Sequence, residues 1–388
     1  MLAGYHGRYA AVSQACQSDQ NLILGLNDPL WHIGCRQLKV RMSNSSPRTA
    51  IVIFNLGGPD SPAAVRPFLF NLFNDPYIIT QPTPIRWLIA TLISTLRAKK
   101  SRGIYDRVGG RSVLLPETQA QATALQNVLN DQPGESRVFI FMRYWHPMAP
   151  EVVADIKAYQ PTRIIVLPLY PQFSTTTTKT SIVALKAEAK RQGLDAPMDI
   201  LCCYPTAEGF VAPVAAKVRE AYDAACRHGK PRVLFSAHGL PEKIVADGDP
   251  YQWQVEQSTN AVVQTLGIPE LDYAICYQSR VGPVKWLQPS IEEEIRRAGQ
   301  DGVPLIVTPI AFVSEHVETL VELDEDMKII ADEAGVPHYT RVGAVRADAA
   351  YIAALAKFAG FVEGKETPCS ASGARICPAN FTACPHRH

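Results

Sequence analysis

The chain has no run approaching the ~18 consecutive apolar residues needed to cross a bilayer. Its first residues lack a basic stretch followed by an apolar block, so no secretory signal is read there and a cytoplasmic protein is the expectation. Neither sign of charge is in excess: 38 Lys and Arg stand against 37 Asp and Glu, a net charge of +1. A nucleic-acid partner, which needs a basic stripe, is not expected. Zinc signatures are missing, with neither His-Glu-x-x-His nor a paired Cys-x-x-Cys. The glycine turn Asn55-Leu-Gly-Gly-Pro59 lacks the phosphate-loop lysine and the three-glycine dinucleotide pattern, which disfavours nucleotide binding. The nine cysteines are scattered apart from a late cluster, and in a reducing compartment they need not pair.

What is present is length and rhythm. The 388 residues suffice for two domains with their own cores. Residues 1–48 show no sustained period and read as an extension without a core; Met42 opens a polar segment that suits a native start. From Thr49 the pattern is strand, loop, helix, repeated. Ala50–Phe54, Arg137–Phe141 and Arg163–Leu169 read as strands, and Pro116–Leu129, Pro150–Tyr159 and Lys179–Gly193 as helices. Met198–Cys202, Arg232–Ser236, Tyr273–Cys276 and Leu305–Val307 continue the strands. Strands alternating with helices of ten or more residues predict parallel sheets with right-handed crossovers. Sequence parallels between the halves predict an α/β fold of two similar Rossmann-like domains, each a parallel β-sheet flanked by helices, with the strand ends around one cleft. The expected boundaries are 49–190 and 191–340. A helix in 341–365 should pack back on the first domain, followed by a cysteine-containing tail, 366–388.

Several stretches carry chemistry. After Leu305–Val307, Ser314 sits where a helix N-cap belongs, predicting a helix over 315–326. At helical spacing Glu315, Glu318, Glu322 and Glu325 share one face, either a solvated acidic face or a track for cations and protons. His238 follows an apolar strand and precedes Gly239, a place where imidazole can take a proton or bind a metal. Arg143 closes another strand and suits a ligand carboxylate or an interdomain ion pair. The hydroxyls of Ser174–Thr178 suit an anion or simple capping. Phe68–Phe73, Ile78–Ile79 and Ile85–Ile93 are rich in apolar residues and lead to basic Arg97–Arg102. They form either a helical hairpin packed on the sheet or an apolar lip over the cleft that touches a membrane surface.

Taken together, Asn55–Pro59, Arg143-Tyr144 with His146-Pro147, Tyr170–Ser174, Ser236–Pro241, Gln278–Pro283 with Trp286-Leu287, and Ser314–Leu320 resemble the ferrochelatase family in order and spacing. The resemblance covers roughly residues 50–345. It implies a lyase that inserts Fe2+ into protoporphyrin IX to give haem, with release of two protons. It implies His238 and Glu318 as the catalytic and metal-handling pair, one on either side of the macrocycle. Glu315 and Glu322 would extend the acidic path, and Arg143, Tyr144 and Trp286 would line the pocket. Two departures stand out, Val108–Val113, where Arg111 replaces a glycine, and Met142. Some members hold a [2Fe–2S] cluster through C-terminal cysteines. Here Cys369, Cys377 and Cys384 are either free thiols or such ligands, with Cys202, Cys203 or Cys276 as the internal partner. The alternatives are a coproporphyrin ferrochelatase, another tetrapyrrole chelatase, and a porphyrin-binding protein without turnover.

Overall fold

Short β-branched and aromatic runs followed by amphipathic segments fold as successive β–α units. The computed structural model describes residues 47–280, 284–365 and 367–386. Met42 and nearly all of the expected extension 1–48 lie outside the described residues. The first units are β1 (Arg48–Asn55), the hairpin α1 (Val65–Phe73) and α2 (Thr83–Asp106), α3 (Leu114–Asn130), β2 (Glu135–Met142), α4 (Ala149–Tyr159) and β3 (Arg163–Pro168). A π-turn (Thr175–Lys179) leads into α5 (Thr180–Gln192), then β4 (Met198–Cys203), α6 (Glu208–Ala225), β5 (Arg232–His238), α7 (Glu242–Ala246), α8 (Tyr251–Leu266) and β6 (Asp272–Gln278). The chain closes with α9 (Ile291–Asp301), β7 (Leu305–Pro309), a π-helix (Glu318–Asp326), α10 (Met327–Glu333), β8 (Tyr339–Arg341), α11 (Ala349–Val362) and β9 (Cys369–Ser370).

The strands form two parallel sheets, ordered β2-β1-β3-β4-β9 and β6-β5-β7-β8. Central strands are buried on both faces: Ala50–Phe54 and Val233–Phe235 are at most 1% exposed. That explains why they read as continuous apolar runs. Each such Ile, Val, Leu or Phe contributes about 1.5–3 kcal/mol by leaving water.

Two sequence expectations change here. The expected boundary at 190 puts Met198–Cys202 in the second domain, yet β4 hydrogen-bonds to β3, so the first sheet extends past residue 190. Strand periodicity cannot reveal which sheet a strand joins. The cysteine tail adds a fifth strand, β9, to that sheet beside β4. On the opposite side α11 packs against α3 and α6, with Tyr351 hydroxyl 2.8 Å from that of Tyr204.

The apolar segment is both a hairpin and a lip. Val65, Phe68 and Leu69 of α1 and Tyr105 of α2 pack around Tyr144, with Val317 alongside. The hairpin therefore rests on residues that follow strands of both sheets. The outer face of α2 leaves Ile85, Trp87, Leu88, Leu92 and Leu96 exposed, Leu96 by 71%. No helix among the described residues is long and apolar enough to cross a membrane.

Candidate active site

The site begins at the carboxyl end of β5. Apolar residues bury the strand up to Ala237, and His238 is the first to emerge. Gly239 is required by close approach: a Cβ there would lie 2.9 Å from the Gln278 carbonyl oxygen. His238 pairs in register with Gln278 of β6. Its Nδ1 lies 2.7 Å from the Gly239 carbonyl oxygen, which makes Nδ1 the donor. In neutral imidazole the lone pair then sits on Nε2. That atom lies 3.6 Å from Oε1 of Glu318. The Tyr251 hydroxyl fixes the His238 main chain by donating to its carbonyl oxygen at 3.1 Å.

Glu318 comes from the other direction, through β7. The predicted helix over 315–326 starts later and is wound differently: a π-helix runs from Glu318 to Asp326. Ser314 is no N-cap; its hydroxyl donates to Gln121 Oε1 at 3.2 Å. A π-helix bonds i to i+5, so each turn holds more residues than an α-turn. The four-glutamate face is thereby broken. Glu322 stays beside Glu318, whereas Glu325 turns away and pairs with Arg107. Periodicity assumed 3.6 residues per turn and could not have shown this.

The remaining predicted residues separate into two groups. Glu322 belongs with the pair. It accepts from the Ser279 amide at 2.8 Å and from the Ser279 hydroxyl, with Gln278 Nε2 at 3.3 Å. Burial, followed by the charge of Glu318, holds its carboxyl above the ordinary carboxylate range despite the Ser279 hydrogen bonds. Glu315 does not join them. Both its oxygens are taken up by Arg341 at 2.8 and 2.9 Å, the Thr319 hydroxyl and the Ala344 amide. Burial would raise this carboxyl, but the Arg341 charge and these hydrogen bonds outweigh it and hold it below the usual range. It is an anchored structural anion, not an open member of an acidic path.

Tyr144 is likewise removed from an open pocket wall. It is fully buried in the lip core, and its hydroxyl donates to Asp75 at 3.0 Å. Arg143 is committed to the same carboxylate at 2.5 Å and to the Thr180 hydroxyl at 3.0 Å. Asp75, with a fully buried side chain, thus gathers Arg143, Tyr144 and Thr180. Sequence reading missed it because the Asn-Asp-Pro step resembles an ordinary turn. Asp75→Asn should strand Arg143 beside a neutral amide and lower stability by about 3 kcal/mol in urea unfolding; an unchanged midpoint would show that Asp75 is not the anchor.

Trp286 bridges to Pro241, and its ring edge approaches Gly239. The indole N–H of Trp286 and the hydroxyl of Tyr170 are buried without a partner among the described residues. Tyr170 and Tyr105 both feel Glu318: burial raises each phenol first, and the Glu318 charge adds to it. His316 packs against Phe312, and burial lowers its proton affinity. Its Nδ1 accepts the Glu318 amide at 3.1 Å. These groups surround the His238–Glu318 contact. That contact leaves no room for a flat ring between the two side chains, since apolar atoms need roughly 3.5–4.0 Å on each face. In this structure the two side chains face each other directly.

The hydroxyl run resolves to capping. Asp249 accepts from the Thr175 amide at 2.6 Å, the Thr175 hydroxyl at 2.7 Å and the Ser174 hydroxyl at 3.0 Å, so an internal carboxylate occupies the anion position. Beside it lies a buried thiol patch. Cys202 and Cys203 sulfurs are 3.4 Å apart, and Gln254 Nε2 reaches Cys203 at 3.5 Å and Cys377 at 3.1 Å. The Cys377–Cys384 hydrogen bond draws Cys384 down and pushes Cys377 up. Burial raises Cys369 first, opposed by the Lys365 charge, and Cys203 lies close enough to add to the rise. Cys276 packs elsewhere, in the core of the second sheet, and drops out. Among the described residues, no group of three or more His, Cys, Asp or Glu is arranged to hold a single metal ion.

A family model described as Ferrochelatase matches residues 48–360. The protein named Ferrochelatase in Caulobacter vibrioides (strain NA1000 / CB15N) is 49% identical over 344 residues, spanning 88% of this chain and 98% of its own length. Its namesake in Rickettsia bellii (strain OSU 85-389) is 48% identical over 349 residues, spanning 88% and 96%. The solved structure "SirB from Bacillus subtilis with Fe3+" aligns over 82% of this chain and 96% of its own at 11% identity and a TM-score of 0.49, too low a likeness to bear on the site.

Proposed function

The chain belongs to the ferrochelatase family, lyases that insert ferrous iron into a porphyrin in haem biosynthesis, and from that premise we propose that its porphyrin is protoporphyrin IX and that His238 and Glu318 handle the iron and the pyrrole protons. The carrying observation is the 3.6 Å approach of Nε2 to Oε1, with Nδ1 held by the Gly239 carbonyl oxygen so that Nε2 is the nitrogen left to take a proton. Iron entry must displace two pyrrole N–H protons. Neutral His238 accepts one of them. Glu318 gives the metal a weak oxygen ligand that yields it readily, or takes the second proton. Glu322, held toward its protonated form, passes protons on behind Glu318. Trp286 walls the ring, and Arg143, fixed by Asp75, supports the pocket from beneath. Bending the macrocycle toward the pair costs a few kcal/mol, drawn from binding of its remote parts.

The exposed apolar face of α2 favours the less polar porphyrin and a peripheral membrane contact. Its basic end, Arg97 to Arg102, suits an anionic cytoplasmic leaflet, in keeping with a cytoplasmic enzyme. Insertion assays with protoporphyrin IX and coproporphyrin III in parallel should give the higher kcat/KM for protoporphyrin. The opposite order would overturn the substrate assignment. Co-sedimentation with anionic vesicles should be lost in Leu88→Glu/Leu92→Glu, and equal sedimentation of the two proteins would remove the membrane contact.

The thiol patch supports a [2Fe–2S] cluster held by Cys369, Cys377, Cys384 and, as the internal ligand, Cys203. Gln254 reaches Cys203 and Cys377, Cys384 hydrogen-bonds Cys377, and Cys369 neighbours Cys203, so the four thiols share one buried patch and are not an exposed tail. When bound, the cluster would supply a one-electron centre and tie the tail to the first sheet. Anaerobically purified protein should show visible absorption and labile sulfide that Cys203→Ser loses and Cys276→Ser keeps. Colourless protein without labile sulfide would exclude it.

A further inference from the structure

The geometry points to Arg341 as a positioning residue that sets the pose of Glu318, an inference that rests on the reading of Glu318 as an acting group. Arg341 ends β8 and lies under the π-helix. Its Nε and Nη2 fork onto both oxygens of Asp324, at 2.7 and 2.6 Å. Its Nη1 holds both oxygens of Glu315, at 2.8 and 2.9 Å. Glu315 precedes the π-helix and Asp324 lies within it, so one guanidinium clasps the segment on both sides of Glu318. Only a planar, five-donor group makes this pair of contacts at once.

The clasp continues to the reacting groups by direct contacts. Glu315 Oε2 accepts the hydroxyl of Thr319, which is fully buried. The same hydroxyl oxygen accepts the His316 amide at 3.0 Å. His316 Nδ1 in turn accepts the Glu318 amide at 3.1 Å, and Glu318 faces His238. Tyr339, two residues before Arg341 on β8, donates to the Leu323 carbonyl oxygen at 2.6 Å. A π-helix persists only where surrounding contacts over-determine it; here β8 supplies them. Arg341 touches neither member of the His238–Glu318 pair in this structure, and its influence passes through where it holds the segment.

The test compares Arg341→Lys, which keeps charge but cannot fork, and Asp324→Asn, which releases only the π-helix side. Each is expected to lower kcat by about tenfold or more, since ångström-scale misplacement of a reacting group has effects of that size. Porphyrin KM should stay within about twofold of the native value. On a Glu318→Gln background, Asp324→Asn should add no further loss, because both changes act through one carboxylate. Native kcat in both single variants, with or without a lowered Tm, would overturn the assignment, as would full additivity with Glu318→Gln. Native turnover of Glu318→Gln alone would instead remove the reading of Glu318 on which the clasp depends.

Discussion

Replacing His238 by alanine is expected to lower iron insertion by about 10³-fold while protoporphyrin still binds, within the range for loss of a positioned general base. The size follows from what the side chain alone provides. Its Nδ1 is engaged by the Gly239 carbonyl oxygen, which leaves Nε2, 3.6 Å from Glu318 Oε1, as the nitrogen that can accept a proton. Alanine removes that acceptor and nothing that holds the strand. The Tyr251 hydroxyl donates to the main-chain oxygen of residue 238, and the ladder to β6 is a backbone ladder. Fold and Tm should therefore be close to native. Porphyrin binding is measured by quenching of tryptophan fluorescence, and insertion by loss of porphyrin emission with added Fe2+. A variant that binds and still turns over at the native rate would refute the role of His238.

Glu318→Gln should reduce turnover by about 10²-fold with the fold intact. The amide is nearly isosteric, and the local scaffold uses only the main chain of this residue. Its N–H donates to His316, and its carbonyl oxygen accepts Gln278 Nε2 at 2.9 Å. What disappears is the negative charge beside His238 and Glu322. Glutamine can neither take a pyrrole proton nor give iron an anionic oxygen. Single-turnover insertion with pre-bound porphyrin isolates this step from product release. Native rates there would take Glu318 out of the site, whatever the steady-state KM.

Much of this molecule was legible before its coordinates. Ala50–Phe54 and Val233–Phe235 are so uniformly apolar that strands buried on both faces are the natural use for them. His238 stood out because a polar, titratable side chain ends such a run next to a glycine. The lip was legible as composition, since no solvated helix would choose Trp87, Leu88 and Leu92 without a reason. Other features were misread where a local rule met a tertiary constraint. The glutamate stripe assumed an α-helix, and contacts from β8 and β6 impose π-winding that rotates Glu325 out of line. Glu315 looked like Glu318 in sequence, but Arg341 lies beneath one and not the other. Tyr144 sits in a recognisable motif, yet the lip hairpin buries it against Asp75.

The sequence by itself determined the α/β class, the identity of the chemistry-bearing side chains and the placement of His238 at a strand end, because hydrophobic period and local turn chemistry act over a few residues. Only the tertiary structure decided which side chains meet. It brought β5 and the segment after β7 to a 3.6 Å contact and put Glu315 under an arginine. It also gathered cysteines from β4 and the tail into one patch. Those pairings join residues tens to well over a hundred positions apart, and no local preference encodes them; they are set by how two sheets and a hairpin bury their apolar faces together.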